Sequence, residues 1–303
     1  GVNMKNKNNK NMKRRPKGAP KKKGGKMPIK KLIKEVQALV ANVKELVNKD
    51  SAAVKVSPNF NFIQNDPAAN SSLIKNMPPP SAELGLKVSV RGFVSTPTTP
   101  DQILAAQVYT ILENDKKYIQ NIIAQHRAKF TQWSTTKVLN VLPQAGVDFN
   151  AYYDRKNLKF FYDTDTVLHK TVYSGRSSDI VSHELGHGVL DALRPDLWSA
   201  VAMEIWSFHE SFGDMMAIIS ALQYDEVINY ALAETSNDLT QSNTVSRLAE
   251  ELGIAIYNVY NGGSWGALNN ALRDASIDFT YVRPSLLPSD GPDDILVNEP
   301  HSF

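Results

Sequence analysis

The apolar residues of this chain recur mostly at spacings of three and four positions, which places them on one face of a helix. The pattern predicts five helices, at residues 28–49, 101–132, 177–193, 200–222 and 243–260. Shorter segments alternate apolar and polar residues or are rich in Tyr, Phe and Val, which predicts strands. These segments are residues 87–94, 138–142 and 151–162. The mixture predicts a domain of the α+β class.

The composition divides the chain into four parts. Residues 1–27 are rich in Lys, Asn, Gly and Pro and have almost nothing to bury, so we expect a disordered basic arm. Residues 28–49 are the predicted amphipathic helix. Residues 50–85 include three consecutive prolines and are expected to be an irregular linker. The globular part is expected at residues 86–303.

The formal net charge of +3 conceals an uneven distribution. Of the 34 Lys and Arg residues, 13 lie in residues 1–31, which contain no acid, so the rest of the chain carries 31 acids against 21 bases. The basic stretch suits a polyanion, either nucleic acid or an acidic membrane surface, and a solvated tail is the alternative. The helix at residues 28–49 suits packing or self-association.

Two absences narrow the candidate chemistry. No apolar run approaches the roughly 18 to 20 residues that cross a bilayer, and no apolar signal-peptide core follows the basic N-terminus. The chain has no cysteine, which excludes disulfides, thiolate metal sites and cysteine nucleophiles. Any metal ligand must therefore come from His, Asp or Glu.

The run His183-Glu184-Leu185-Gly186-His187 is the first candidate metal site. Two histidines four positions apart on a helix share one face, with their Cβ atoms roughly 5 to 6 Å apart, so both imidazoles can reach one ion. The glutamate between them can take a proton from a metal-bound water. A buried helix that contains two hydrogen-bonded histidines is the alternative.

A third ligand is expected from the next predicted helix. Glu210 and Asp214 are four positions apart in Glu210-Ser211-Phe212-Gly213-Asp214, so they also share a face. Glu210 can bind the metal, and Asp214 can accept the remaining N–H of a ligand histidine and hold its tautomer. His209 is an alternative ligand, although it points about 100° away from Glu210 around the helix.

These separated motifs make residues 86–303 resemble the thermolysin-like and fungalysin-like gluzincins, which are zinc endopeptidases of zincin-like fold. Asn150-Ala151-Tyr152-Tyr153 is similar to the edge strand with which that family binds the substrate backbone. The resemblance implies that Asn150 and the main chain of Ala151 bind the substrate. An ordinary aromatic strand is the alternative.

Two more residues receive a role only from the resemblance. Arg273, in Ala271-Leu272-Arg273-Asp274-Ala275-Ser276, matches the arginine that binds a substrate carbonyl, and a surface salt bridge is the alternative. His301 falls near the position of the family's transition-state histidine, whose proton stabilises the tetrahedral oxyanion. A tail residue without a role is the alternative for His301.

The chain also departs from the family. The family has a tyrosine soon after the second histidine as another oxyanion donor, whereas residues 188–209 contain none. The family continues into a helical C-terminal subdomain, so the domain is expected to be incomplete at Phe303. Asp179 matches a calcium position of the family, which makes Ca²⁺ a second candidate cofactor beside Zn²⁺.

The expected function is zinc-dependent endopeptidase activity. Zinc held by His183, His187 and Glu210 is expected to activate a water, with Glu184 as general base, against a peptide or protein substrate. A catalytically degenerate zincin domain in a polyanion-binding or structural protein is the alternative. Hydrolysis of a non-peptide amide is a third possibility.

Overall fold

The computed structural model describes residues 59–81, 85–125, 130–200, 202–260 and 267–276, all of which belong to one compact unit. The basic arm, the predicted helix at residues 28–49 and His301 lie outside the described residues. In chain order the strands are β1 (Phe60–Ile63), β2 (Ile74–Met77), β3 (Lys87–Val90), β4 (Val138–Leu142), β5 (Ala151–Tyr153), β6 (Asn157–Phe160), β7 (Tyr162–Asp165), β8 (Lys170–Tyr173), β9 (Arg247–Leu248) and β10 (Arg273–Asp274). The helices are α1 (Pro100–Gln125), α2 (Ser178–Leu193), α3 (Pro195–Trp198), α4 (Met203–Ala221), α5 (Asp225–Glu234) and α6 (Glu250–Val259).

Part of the predicted linker is a β-hairpin, which corrects the expectation for residues 50–85. Strands β1 and β2 pair antiparallel, and the alternation in β1 buries Phe60 and Phe62 in the main core. The side chain of Gln107 on α1 both accepts from the N–H of Ile63 and donates to its carbonyl. The proline run Pro78–Pro80 begins only after β2 ends, so it marks the end of the hairpin rather than a linker.

The main sheet has the strand order β3-β4-β6-β5, in which β3, β4 and β6 are parallel and β5 runs antiparallel at one edge. The single strand predicted at residues 151–162 is wrong, because the chain turns between β5 and β6. Oδ1 of Asp154 accepts from the N–H groups of Lys156 and Asn157, and Arg155 adopts a φ of 71°. An aspartate that bonds the backbone two residues ahead is typical of such turns.

Helix α2 lies between α1 and α4 and carries the two candidate ligand histidines. It follows the prediction of 177–193 closely, with the side chain of Ser177 capping its N-terminus. The buried carboxylate of Asp115 on α1 connects all three helical regions. It accepts hydrogen bonds from Ser182 on α2, Ser220 on α4 and Gln223 just after α4.

The later helices differ more from the predictions. The helix predicted at 243–260 begins only at Glu250, because Asn243 accepts from the N–H groups of Val245 and Ser246 and forms a turn. Helix α5 was not predicted. Within the described residues, no helix is both long and apolar enough to cross a membrane. The arrangement is an α+β domain, as expected from the sequence.

Candidate metal centre

Two glycines allow α2 and α4 to approach closely at the site. A Cβ atom on Gly186 of α2 would lie 3.0 Å from the Cα of Gly213 on α4. A Cβ atom on Gly213 would lie only 2.7 Å from the ring of His183. Any other residue at position 213 therefore requires the histidine ring to move. Because neither glycine has a side chain, the helix that carries the histidines can pack closely against the helix that carries Glu210.

The predicted ligands converge between these helices. Nε2 of His183 lies 3.1 Å from Nε2 of His187 and 3.2 Å from Oε2 of Glu210. Oε1 of Glu210 lies 3.6 Å from Nε2 of His187. In a tetrahedral zinc site with bonds of 2.0 to 2.2 Å, neighbouring ligand atoms are about 3.3 to 3.6 Å apart. The two imidazoles and the carboxylate thus already have spacings close to those that zinc requires.

A second carboxylate, that of Glu184, lies beside the same atoms. His183, Glu184 and His187 can each offer one ligand atom within 4.8 Å of the others, and both histidines and Glu184 are largely buried. Glu184 follows His183 directly, so its side chain leaves the helix about 100° away from that ring. The carboxylate of Glu210 lies 3.2 Å from Nε2 of His183 and 3.6 Å from Nε2 of His187, which favours Glu210 as third ligand and leaves Glu184 as the candidate base.

The far side of the His183 ring contacts Asp214. Nδ1 of His183 lies 2.8 Å from Oδ1 of Asp214, which leaves Nε2 directed at Glu210 and His187. Burial opposes a positive charge on His183, but its hydrogen bonds to Asp214 and Glu210 raise its pKa to about 9. Burial also opposes ionisation of Asp214, yet Arg273 and His183 hold the pKa of Asp214 well below its usual value.

A cavity of about 370 Å³ opens onto the candidate ligands. One part of its lining consists of the candidate ligands, and another part consists largely of aromatic side chains. The lining residues are Ala151, Tyr152, Tyr153, His183, Glu184, His187, Leu197, Trp198, Trp206, His209 and Glu210.

Strand β5 contributes three of those residues and lies at the edge of the main sheet, where no described strand pairs with its outer side. The carbonyl of Asn150 accepts from the N–H of Phe161, and the N–H of Asp154 donates to the carbonyl of Asn157. Because antiparallel strands alternate their bonding direction, Ala151 and Tyr153 direct their main-chain groups away from β6. The side chain of Asn150 accepts from the N–H of Ala151 and donates to Asp148. Asn150 itself does not line the cavity.

The other residues with a predicted role do not line the cavity or lie outside the described residues. Arg273 binds Asp214 through two nitrogens and does not line the cavity, so its role toward a substrate carbonyl stays a prediction. His301 and its role lie outside the described residues. Asp179 accepts from Asn65 and from the N–H of Ala249. Within the described part of the chain, the His183 group alone brings three ligand atoms close enough for one ion, so Ca²⁺ at Asp179 stays a prediction.

The sequence did not predict the aromatic wall. Trp206 is four positions before Glu210 and so lies on the same helix face, a signal that could have placed it near the site. Trp198 is on α3, which begins at the proline that ends the predicted helix, and nothing in the sequence indicated that it lines the cavity beside the candidate ligands. Comparisons with family models, curated proteins and solved structures found no match, so the functional argument rests on the residues themselves.

Proposed function

We propose that the protein is a zinc-dependent endopeptidase. The observation that carries the proposal is the convergence of His183, His187 and Glu210 at the spacings of a tetrahedral zinc site. A catalytic zinc site has three protein ligands and a position left for water or substrate. The cavity beside these three residues supplies the room for that position.

The residues around the site divide the catalytic work. The metal, when bound, supplies a Lewis acid and lowers the pKa of a coordinated water. Glu184 accepts the proton of the attacking water and then delivers it to the amide nitrogen as the C–N bond breaks. Asp214 keeps the tautomer of His183 in which Nε2 is the ligand. Residues of the site therefore account for both the proton transfer and the orientation of the His183 ring.

A peptide is the substrate class that the surroundings favour. The outward carbonyls of Ala151 and Tyr153 and the N–H of Tyr153 can pair with an extended chain by strand addition, and the N–H of Ala151 can join once it leaves the side chain of Asn150. The same two residues line the cavity, so a chain paired with β5 passes the metal ligands. Leu197 and Trp198 offer an apolar surface to one of its side chains.

The test is hydrolysis of casein and of an internally quenched peptide library by the full chain. A chelator should abolish activity and zinc should restore it. Glu184→Gln should retain zinc and lose activity at least about a thousandfold, since it removes the base. Glu210→Gln should lose zinc itself. Glu204→Gln, the same change on the same helix but outside the cavity lining, should change neither.

Activity that survives Glu184→Gln would contradict the mechanism. Zinc binding without hydrolysis of any peptide would favour the degenerate-domain alternative. Hydrolysis confined to non-peptide amides would replace the substrate class and leave the metal site as proposed.

A further inference from the structure

The imidazole of His209 is buried in the cavity wall without a hydrogen bond. Its exposure is 7%, and neither Nδ1 nor Nε2 has a partner among the described residues. A buried polar group left without a hydrogen bond costs roughly 1 to 3 kcal/mol. Such groups are rare in folded proteins, and each one calls for an explanation such as a bound ligand or a catalytic role.

The ring is fixed in place by its aromatic neighbours. Trp198 meets it edge-on with ring centroids 5.6 Å apart, and Trp198 in turn packs edge-on against Tyr153 at 5.4 Å. The guanidinium of Arg155 lies 5.6 Å from the centroid of the Trp198 ring. The imidazole is therefore packed against Trp198, which is itself packed against Tyr153 and Arg155. Such packing holds a hydrogen-bond donor in a fixed position before the substrate binds.

His209 is close to the metal ligands without being one of them. Its ring centroid is 5.8 Å from that of His187. Neither of its ring nitrogens makes a hydrogen bond, whereas Glu210 lies 3.2 and 3.6 Å from the Nε2 atoms of His183 and His187, so the alternative that His209 binds the metal is not favoured. A substrate group lodged between His187 and His209 would be next to the metal position, where the reacting carbonyl must lie.

The chemistry of a neutral imidazole matches the need of that carbonyl. A neutral histidine has one N–H donor and one acceptor nitrogen. Attack by water turns the carbonyl oxygen into an oxyanion, and a donor aimed at it stabilises charge that develops only in the transition state. Of the two cavity tyrosines, Tyr153 donates its hydroxyl to Asp191 and the hydroxyl of Tyr152 accepts from Lys159.

We infer that His209 is a catalytic residue that donates a ring N–H to the oxyanion of the tetrahedral intermediate. The inference rests on the proposed function, and it assigns the oxyanion a donor in a chain whose residues 188–209 contain no tyrosine. No proton is transferred in this step, because the N–H only forms a hydrogen bond to the developing charge. His209 thus acts on the rate and not on ground-state binding.

The experiment compares His209→Phe, which keeps a planar ring without a donor, with His209→Gln, which keeps an N–H. The exposed His169, outside the cavity lining, provides the matched control His169→Gln. We would measure zinc content, kcat and KM on one peptide, and the Kd of a phosphinic peptide whose tetrahedral anion mimics the transition state. His209→Phe should lower kcat by a factor of about 10² to 10³ with KM changed less than about threefold. His209→Phe should also weaken phosphinic peptide binding by a similar factor. His209→Gln should have a kcat and a phosphinic peptide affinity at least about tenfold higher than those of His209→Phe.

Each other outcome overturns the inference in a recognisable way. An unchanged kcat would exclude the donor, and a raised KM with unchanged kcat would mean substrate positioning alone. Loss of zinc in both His209 variants would mean a structural or ligand role. A wild-type chain that holds zinc but neither hydrolyses peptides nor binds the phosphinic peptide would overturn the proposed function together with the inference.

Discussion

Arg273 binds Asp214 with two hydrogen bonds, of 3.0 Å from Nε to Oδ2 and 2.6 Å from a terminal nitrogen to Oδ1. The same Oδ1 lies 2.8 Å from Nδ1 of His183. The arginine therefore contacts the candidate metal centre indirectly, because it holds the carboxylate that hydrogen-bonds the ring of His183.

Asp214→Asn tests this arrangement. The amide carries no charge and can present an N–H to His183, so the ring loses the partner that fixes its tautomer. We expect zinc affinity to fall by a factor of about 10 to 100. Competition with a zinc-binding dye measures the affinity directly. Arg273→Gln should produce a smaller loss of the same sign, and an unchanged affinity in Asp214→Asn would contradict the role of the carboxylate.

Gly213→Ala should damage the site while leaving the helix intact. Alanine favours a helix by about 1 kcal/mol over glycine, but its Cβ would lie 2.7 Å from the ring of His183. The ring must move, so zinc affinity and activity should fall at least about tenfold. Gly188→Ala is the control, since its Cβ would meet Tyr153 at an ordinary 3.5 Å. Equal zinc affinities of the two variants would show that the contact does not position His183.

Asp115 predicts a defined pH dependence of stability. Burial raises its pKa to about 6, against which the hydrogen bonds from Ser182, Ser220 and Gln223 act. Since this value is above the ordinary carboxyl pKa of 3.8, the folded state binds the proton more tightly than the unfolded state. The contribution of Asp115 is therefore most favourable below pH 4 and decreases by about 3 kcal/mol as the pH rises to 6.

Asp115→Asn should remove this decrease. The amide oxygen can keep the bonds from Ser220 and Gln223, while the amide nitrogen can donate to the hydroxyl of Ser182. In urea unfolding at several pH values, the free energy of unfolding of the variant should increase relative to that of the wild type between pH 4 and 6. A stability difference that is the same at every pH would refute the assignment.

Lys116 and Glu113 form a fully buried ion pair on α1. The ammonium lies 2.6 Å from Oε1 of Glu113 and 2.6 Å from the carbonyl of Leu86. Lys116→Met leaves the carboxylate buried without its cation and should cost about 3 to 5 kcal/mol. The double variant with Glu113→Leu should lose less than the sum of the single changes. Additive losses in urea unfolding would mean that the pair is not coupled.

Helices α1, α2 and α4 and the grouping of the candidate ligands were predictable because both depend on local spacing. Histidines four residues apart must share a face wherever the helix lies, and Glu210 and Asp214 obey the same rule. The start of α2 agrees with the prediction at residue 177, where the side chain of Ser177 caps the helix within its first turn.

Contacts between distant segments were not predictable from spacing. The partner of Arg273 depends on the pairing of β9 with β10, which sets Arg273 opposite Leu248. The β1–β2 hairpin was missed because its burial depends on Gln107, 44 residues beyond Ile63. His209 was expected to point away from Glu210, and only the fold shows that its ring lines the cavity.

The free edge of β5 has a consequence for inhibitor chemistry. Its outward groups belong to Ala151 and Tyr153, two residues apart, and therefore repeat about every 6.6 Å along the strand. A peptide added there is held through every second amide. Methylation of successive peptide nitrogens should thus weaken binding at alternate positions only, so that a series of singly N-methylated inhibitors would trace the register of the bound chain.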